Sequence, residues 1–491
     1  MDITLDIAQG RLRGRSTAGI ASFFGIPYAE APFGALRFAP PTAPPSWEGV
    51  RDAVALGATA PKIGYRPPTS DILSEPVVPG VDCLNLNVWT PDAAGAGLPV
   101  FVWIHGGAFV NGSNAVPIYD GAAFARDGVV SVTVNYRLGA DGFARIDGAP
   151  ANRGLLDQVA ALEWVRDNIA SFGGDPAQVT VAGESAGAMS VGTLLSMPRA
   201  RGLFKRAILQ SGAGHHVISE PTALKVSAAL AEMLGVSADV AGLGGVPVGA
   251  FVDAQRDLGD RITVEAPTGV WGELAFNMMP FEPYIDGDVV PDLPYTRIAA
   301  GAGADVDILI GTTSEEFAFF LVPAGVTDYI DLDRVRLVLG AFGVDAEAAL
   351  VAYSAQLPDA SPGEVLIAVM TDWFFRLPAV RLVEARNGSA FVYEFTWRST
   401  LYDGRLGACH ALEIPFVFDV LDKPESARIT GANPPQKLAD EMHRAWVDFV
   451  SEGSPGWGQY GETRVVKMFG EQSEIVDDPR AETRELWSTV R

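Results

Sequence analysis

In the stretch VTVAGESAGAMS, residues 179 to 190, one serine is crowded by small neighbours: Gly183 stands two before Ser185, and Ala186 and Gly187 follow it. A β-branched alternating run followed by Ala, Met and Leu reads as a strand turning sharply into a helix. A serine on such a turn takes a strained backbone conformation, which needs small residues two before and two after it. Its hydroxyl is then held out at the end of a sheet, ready to attack a carbonyl carbon. With 53 glycines in 491 residues, composition alone supplies roughly 0.3 Gly-x-Ser-x-Gly matches, so the motif counts only together with partners.

A serine hydroxyl becomes a nucleophile when a base takes its proton, and a carboxylate normally orients that base. On an elbow of this type the chain order is serine, acid, histidine. His410 and His443 follow Ser185 far enough away to leave room for an acid. His443 sits inside the amphipathic run QKLADEMHRAWVDFV (436–450), where a structural histidine is expected. His410 lies in GRLGACHALEIPF, an irregular stretch after a strand and the usual setting of a catalytic group, so it is the expected base. His215 and His216 precede any acid and are expected at the rim of the site, exposed or lining its entrance. For the acid, VDILIGTTSEE offers Glu315 and Glu316 just past a buried strand, and sites of open α/β sheets gather at the carboxyl ends of strands. Spacing leaves the choice between the two open; the other carboxylate is expected to be solvated or to cap the next helix. WIHGGAF (103–109) completes the set, a buried strand running into glycines whose backbone N–H groups can point at a substrate oxygen.

These side chains need a scaffold, and the alternation of strand-like and helix-like segments up to about residue 210 supplies one. LNLNVWT (84–90), LPVFVWIH (98–105) and GVVSVTVNYR (128–137) read as strands; the last two are near-continuous apolar runs, as strands buried on both faces should be. Residues 152–174 read as a helix ending at Gly173-Gly174. ITLDIAQGRLRGRS reads as a hairpin, the proline-rich stretch 22–47 as loop, FKRAILQSG and FVYEFTW (391–397) as strands, and VDILIGTTSEEFAFF (306–320) as a strand opening into a helix. No linker or repeat interrupts the chain, which reads as one large α/β domain over 1–491 with helical insertions. The formal charge of −24 argues against a nucleic-acid partner, whose phosphates select a basic face. No apolar run reaches the roughly 18 residues of a membrane span. Asp2 and Asp6 stand where a signal peptide needs basic residues, and Cys83 and Cys409 are too few for a disulfide framework, so a cytoplasmic protein is expected.

Taken together, FFGIPYAEAPFGALRFAPP, DCLNLNVWTP, VWIHGGAFVNG, VNYRLG, GLLDQVAALEWVRDNIASFGGDPAQVTVAGESAGA, FKRAILQSG, GTTSEEFAFFL, GACHALEIPFVF and AWVDFVSEGSPGW span nearly the whole length. In that order they make the chain resemble the type-B carboxylesterase family, which includes cholinesterases and bacterial p-nitrobenzyl esterases. The resemblance implies the α/β-hydrolase fold: a large central mixed, mostly parallel sheet flanked by helices, with helical insertions at roughly 217–300 and 322–390. It implies a serine carboxylesterase working through an acyl-enzyme, with no metal and no cofactor. Ser185 matches the nucleophile, His410 the histidine and Glu316 the acid, although Phe317 replaces the usual glycine after it. The oxyanion donors fall on the N–H groups of Gly107, Ala108 and Ala186. Glu184, Ser211 and Glu413 match a buried polar network near the histidine, and Arg137 and Asp157 a buried ion pair. Val81 replaces a glutamate that pairs with the arginine matching Arg37, so that pair is expected to be missing. The cysteine that secreted members bond to the one matching Cys83 is absent, so two free thiols are expected.

A small-molecule ester is the expected substrate. Alternatives are a carbamate or aryl-amide hydrolase using the same triad and, more remotely, a non-catalytic binding module on the same fold. Trp271, Phe276, Met278, Met279, Phe319, Phe320, Trp373 and Phe374 make an apolar pocket plausible. Oligomeric state is not legible.

Overall fold

Parallel strands buried on both faces share one edge for their carboxyl ends, and the molecule is organised around that edge. The structure, a computed structural model, describes residues 1–266, 269–488 and 490. Pro267 and Thr268 of the first expected insertion, and Thr489 and Arg491 of the expected 1–491 domain, lie outside the described residues. Among the described residues, thirteen strands join one sheet. In chain order they are β1 (Asp2–Ile7), β2 (Gly10–Thr17), β3 (Ile20–Pro27), β4 (Val50–Asp52), β5 (Asn85–Thr90), β6 (Leu98–Ile104) and β7 (Val130–Val134). There follow β8 (Gly174–Glu184), β9 (Arg206–Gln210), β10 (Asp307–Thr313), β11 (Ala390–Phe395), β12 (Val465–Phe469) and β13 (Glu474–Asp477). Their order across the sheet is β1-β2-β3-β5-β7-β6-β8-β9-β10-β11-β12-β13, with β4 beside β2. From β7 to β12 every neighbouring pair is parallel, and the pairs along the sheet outside that block are antiparallel. The sheet is mixed and mostly parallel at its centre.

Register brings the site together. Ile104 is opposite Gly183, Glu184 opposite Gln210, and Gln210 opposite Gly311, so the chain leaves β6, β8, β9 and β10 at adjacent points of one edge. Helices fill the connections: Arg153–Asn168 leads into β8, and Glu220–Leu234 and Val248–Glu265 lie between β9 and β10. Leu332–Ala341, Ala346–Gln356, Pro362–Thr371 and Leu377–Ala385 lie between β10 and β11. These last pack partly on one another through Val335, Leu339, Phe342 and Val369, closed by Trp487. Among the described residues no helix is long and apolar enough to cross a membrane.

Several expectations shift. The segment from Ile20 to Pro27, read mostly as loop, is β3. A register shift between Phe23 and Ile26 lets a strand broken by Gly25 pair with β5, and pairing outweighs the local proline and glycine signal. β12 and β13 were not expected. The helix expected after β10 is a single turn, Ala318–Leu321. Within the second insertion a π-helical turn, Asp372–Arg376, joins two α-helices. It is closed by an Asp372–Arg376 ion pair at 2.5 Å and a hydrogen bond from the Tyr353 hydroxyl to Asp372 at 2.7 Å. The Arg137–Asp157 pair is buried and bidentate, 2.8 and 2.6 Å. Arg37, left without a glutamate at position 81, pairs instead with Asp141 at 2.9 Å and lies over the Phe251 ring.

Candidate active site

β8 ends at Glu184, and the helix Ala186–Leu194 begins two residues later. Ser185 makes the turn with φ 54° and ψ −125°, a conformation disfavoured for residues with a Cβ. The small neighbours are required by contact. A Cβ on Gly187 would lie 2.0 Å from the Ile104 carbonyl oxygen at the end of β6, so only glycine lets the new helix pass that close. The Ser185 N–H donates to the Gln210 carbonyl at 2.9 Å, tying the elbow to β9. Ala186 is the first residue of its helix, so its N–H has no carbonyl one turn back.

Ser185, His410, Gly107 and Ala108 line one cavity of about 460 Å³. His410 is held on both ring nitrogens. Its Nδ1 lies 2.6 Å from Glu316 Oε2, a bond in which the ring N–H donates. Its Nε2 stands 3.1 Å from Glu184 Oε1, an ion-pair contact rather than an aligned hydrogen bond. Glu316 is fully buried and its Oε1 accepts the Thr313 N–H at 2.9 Å, which fixes the carboxylate against the end of β10. Phenylalanines 375 and 320 pack on the imidazole with ring centroids 4.8 and 5.5 Å away.

The buried charges shift one another. Burial alone pulls the His410 pKa down, but Glu184 and Glu316 more than offset it and raise it to about 9. Burial, reinforced by Glu413 and Glu316 and opposed by His410, pushes Glu184 up to about 8. Burial and the Glu316 charge push Glu413 up to about 7, against a hydrogen bond from Gln210 Nε2 at 3.1 Å.

Of the two adjacent glutamates, Glu316 meets His410. Glu315 neither caps the next helix nor stays simply solvated. It accepts the Ala408 N–H at 2.9 Å and pairs with Arg398 at 2.5 Å, bracing the loop that carries His410. Phe317 needs no glycine-like backbone: its φ is −71°, and its ring joins the cavity wall. Glu184, Ser211 and Glu413 are all buried, but the Ser211 hydroxyl has no hydrogen-bond partner among the described residues, and Glu413 is bonded to Gln210 instead. His443 is a strap: its Nδ1–H donates to the Val417 carbonyl at 2.7 Å, and Nε2 lies 3.1 Å from Asp127. His215 and His216 do not line the cavity. They pack on Tyr295 and Phe374, and His216 is buried behind that wall rather than exposed at its rim. Met278, Met279, Phe319, Phe320 and Phe374 line the cavity as expected, whereas Trp271, Phe276 and Trp373 do not. Phe375, Tyr119 and the 65–75 stretch, absent from the sequence reading, do line it; the paired phenylalanines of DWFFR are the one local hint.

The same fold recurs in solved enzymes. A carboxylesterase of Geobacillus stearothermophilus, crystallised at pH 6.2, matches with a TM-score of 0.86 and 35% identity over 99% of this chain and 100% of its own. The fold is that of the α/β-hydrolases. Sequence narrows the class further, for the carboxylesterase family matches residues 2–477. The chain belongs to that family and is a carboxylic-ester hydrolase. The para-nitrobenzyl esterase of Bacillus subtilis (strain 168) is 37% identical over 502 residues, 97% of this chain and 96% of that protein. The phenmedipham hydrolase of Pseudarthrobacter oxydans is 38% identical over 468 residues, 92% of this chain and 91% of that protein.

Proposed function

We propose that Ser185, His410 and Glu316 carry the ester hydrolysis and that Gly107, Ala108 and Ala186 receive the oxyanion. The observation that supports this best is the 2.6 Å bond between His410 and Glu316 on the wall of the cavity that Ser185 enters from its strained turn. The Ser185 hydroxyl attacks the ester carbonyl while His410 Nε2 takes its proton; Nδ1–H stays on Glu316, so the ring is a base at one nitrogen only. The imidazolium that forms stands between two carboxylates, Glu316 and Glu184. The carbonyl oxygen, now negative, accepts from the three backbone N–H groups. Collapse expels the alcohol, which takes the proton from His410 and leaves an acyl-serine. Water then repeats the sequence with His410 as base, releasing the carboxylic acid. Glu184 and Glu413 act around the histidine as a buried acidic shell.

The cavity wall, largely phenylalanine, methionine and aliphatic side chains, suits neutral esters with aryl or short acyl groups. Kinship with the para-nitrobenzyl esterase and the phenmedipham hydrolase makes para-nitrobenzyl esters and phenmedipham the first compounds to try. The buried free thiols of Cys83 and Cys409 suit a reducing, cytoplasmic setting. A fluorophosphonate should add once, to Ser185, by intact-mass and peptide analysis, and abolish p-nitrophenyl acetate turnover. Labelling elsewhere, or turnover surviving Ser185→Ala, would reject the assignment.

A further inference from the structure

The stretch between β4 and β5 lines the cavity with Tyr65, Ile72, Leu73 and Glu75, and its polar contacts with the 105–112 loop converge on two adjacent residues. Gly64 donates its N–H to Asn111 Oδ1 at 2.8 Å. Lys62 Nζ donates to the Gly112 carbonyl at 3.3 Å and to the Pro76 carbonyl at 2.8 Å. Glu75 accepts the Gly112 N–H with both oxygens, at 3.3 and 3.2 Å. Lys62 and Glu75 are paired with each other, their side chains 3% and 11% exposed. Both backbone polar groups of Gly112 therefore end on one buried ion pair. Burial pulls the Lys62 pKa down, and the charge of Glu75 and its hydrogen bond work against that.

Gly112 in turn holds the loop that carries Gly107 and Ala108. The N–H groups of Asn111 and Val110 close on the Gly107 carbonyl at 2.8 and 3.0 Å. Gly112 has φ +91°, and a Cβ there would lie 2.2 Å from the Gly106 carbonyl oxygen and 2.4 Å from His105 Nδ1. The end of the loop thus lies against its beginning. Burial pulls the His105 pKa down to about 3, so the ring is neutral, and its Nδ1–H donates to the Gly106 carbonyl at 2.8 Å. With contacts this close, any displacement of Gly112 is passed to the backbone at 106–108.

We propose that Lys62 and Glu75 are positioning residues for the oxyanion loop: by gripping both backbone groups of Gly112 they aim the N–H groups of Gly107 and Ala108. They also make that aim depend on the docking of the 62–76 stretch that walls the cavity. The inference rests on the reading of Gly107 and Ala108 as oxyanion donors. Charge suits the task, because hydrogen bonds to ionised partners are shorter and stronger than neutral ones. Oxyanion donors are effective only when aimed at where the charge develops.

The test compares the parent enzyme with the neutral double variant Lys62→Met/Glu75→Gln and the exchange Lys62→Glu/Glu75→Lys. The exchange keeps opposite charges side by side but reverses the polarity at Gly112, since a carboxylate cannot donate to its carbonyl and an ammonium cannot accept from its N–H. For both variants we expect kcat on p-nitrophenyl acetate to fall roughly 30- to 100-fold, the scale of a misplacement near 1 Å. KM should stay within about threefold, and affinity for an aryl trifluoromethyl ketone, which forms a tetrahedral adduct on Ser185, should fall in parallel with kcat. Thermal melts identify the folded variants, and either one that folds decides the matter. A folded variant with parental kcat and ketone affinity, or one whose loss lies wholly in KM, overturns the proposal. If the parent itself does not bind the ketone although a fluorophosphonate labels Ser185, the oxyanion reading has failed and takes this proposal with it.

Discussion

His410 and His443 are both buried, both in contact with a carboxylate and both packed on a phenylalanine ring, yet only His410 opens on a cavity. His443 gives its Nδ1–H to the Val417 carbonyl and sets Nε2 against Asp127, 3.1 Å away. That joins the helix Gln436–Glu452 to the residue that ends the helix Ala122–Arg126. His410 has carboxylates at both nitrogens, Glu316 at 2.6 Å and Glu184 at 3.1 Å, on the wall of the space that Ser185 enters. A carboxylate beside a histidine therefore says little by itself. What separates the two is the partner of the second nitrogen and whether a substrate can reach it.

Replacing each ring by alanine is the sharpest way to break this comparison. His410→Ala should lose about 10⁴-fold or more in kcat with its fold intact, because nucleophile and base act as a unit. His443→Ala should keep kcat within about threefold and lose about 1–3 kcal/mol of stability instead, from the severed strap and the space left behind. Steady-state kinetics beside denaturant melts decide it. An inactive His443→Ala and an active His410→Ala would exchange the two roles.

A smaller effect separates the two carboxylates around His410. Only the neutral imidazole can take the serine proton, and the carboxylates favour the cation, raising the pKa to about 9. The kcat/KM of the parent should therefore climb with pH and level off above a midpoint near 9. Glu184→Gln removes the strongest of the raising charges, so its midpoint should move to lower pH, the pair titrating together. A profile on an aryl acetate that stays in place or moves to higher pH would mean that Glu184 does not set the charge of the ring.

The order and spacing of Ser185, the Glu315-Glu316 pair and His410 were legible in the sequence, and so was the structural character of His443. Spacing left open which glutamate meets the ring, since Glu315 and Glu316 follow the same strand and differ only in the direction each side chain leaves it; the family resemblance alone pointed to Glu316, the one that lies on His410. Glu315 was misread because its partners, Ala408 and Arg398, come from a loop far along the chain. β3 was missed for a related reason: its local signals say loop, and only pairing with β2 and β5 makes it a strand. His215 and His216 were placed at the rim from their position before the acid in the chain, whereas His215 packs on Tyr295 and His216 is buried against Phe374, behind the cavity wall.

The smallest effect concerns the residue beside His410. Cys409 and Cys83 are buried and unbonded to each other, and burial pushes both thiols well up, so neither offers a thiolate at neutral pH. A thiol reagent should find none in the native enzyme and two after denaturation, and reductant should leave activity unchanged. A count of zero in the denatured, unreduced monomer would show a bond between them and a loop tethered at His410.

The amino-acid sequence alone determined the elbow at Ser185 and the glycine loop after β6, because both are steric consequences of a few adjacent residues. A Cβ at Gly183 would lie 2.5 Å from the backbone of Gly187, only four residues on, so the turn itself demands a glycine there. It also determined the buried parallel strands, whose apolar runs leave little choice of environment. The tertiary structure decided everything that depends on where separate strands end relative to one another: the meeting of Glu316, His410 and Glu184, the composition of the cavity wall, and the grip of Lys62 and Glu75 on Gly112. Those contacts join residues tens to hundreds of positions apart. Their strength comes from burial and from alignment across the sheet edge, neither of which is written in any local stretch of the chain.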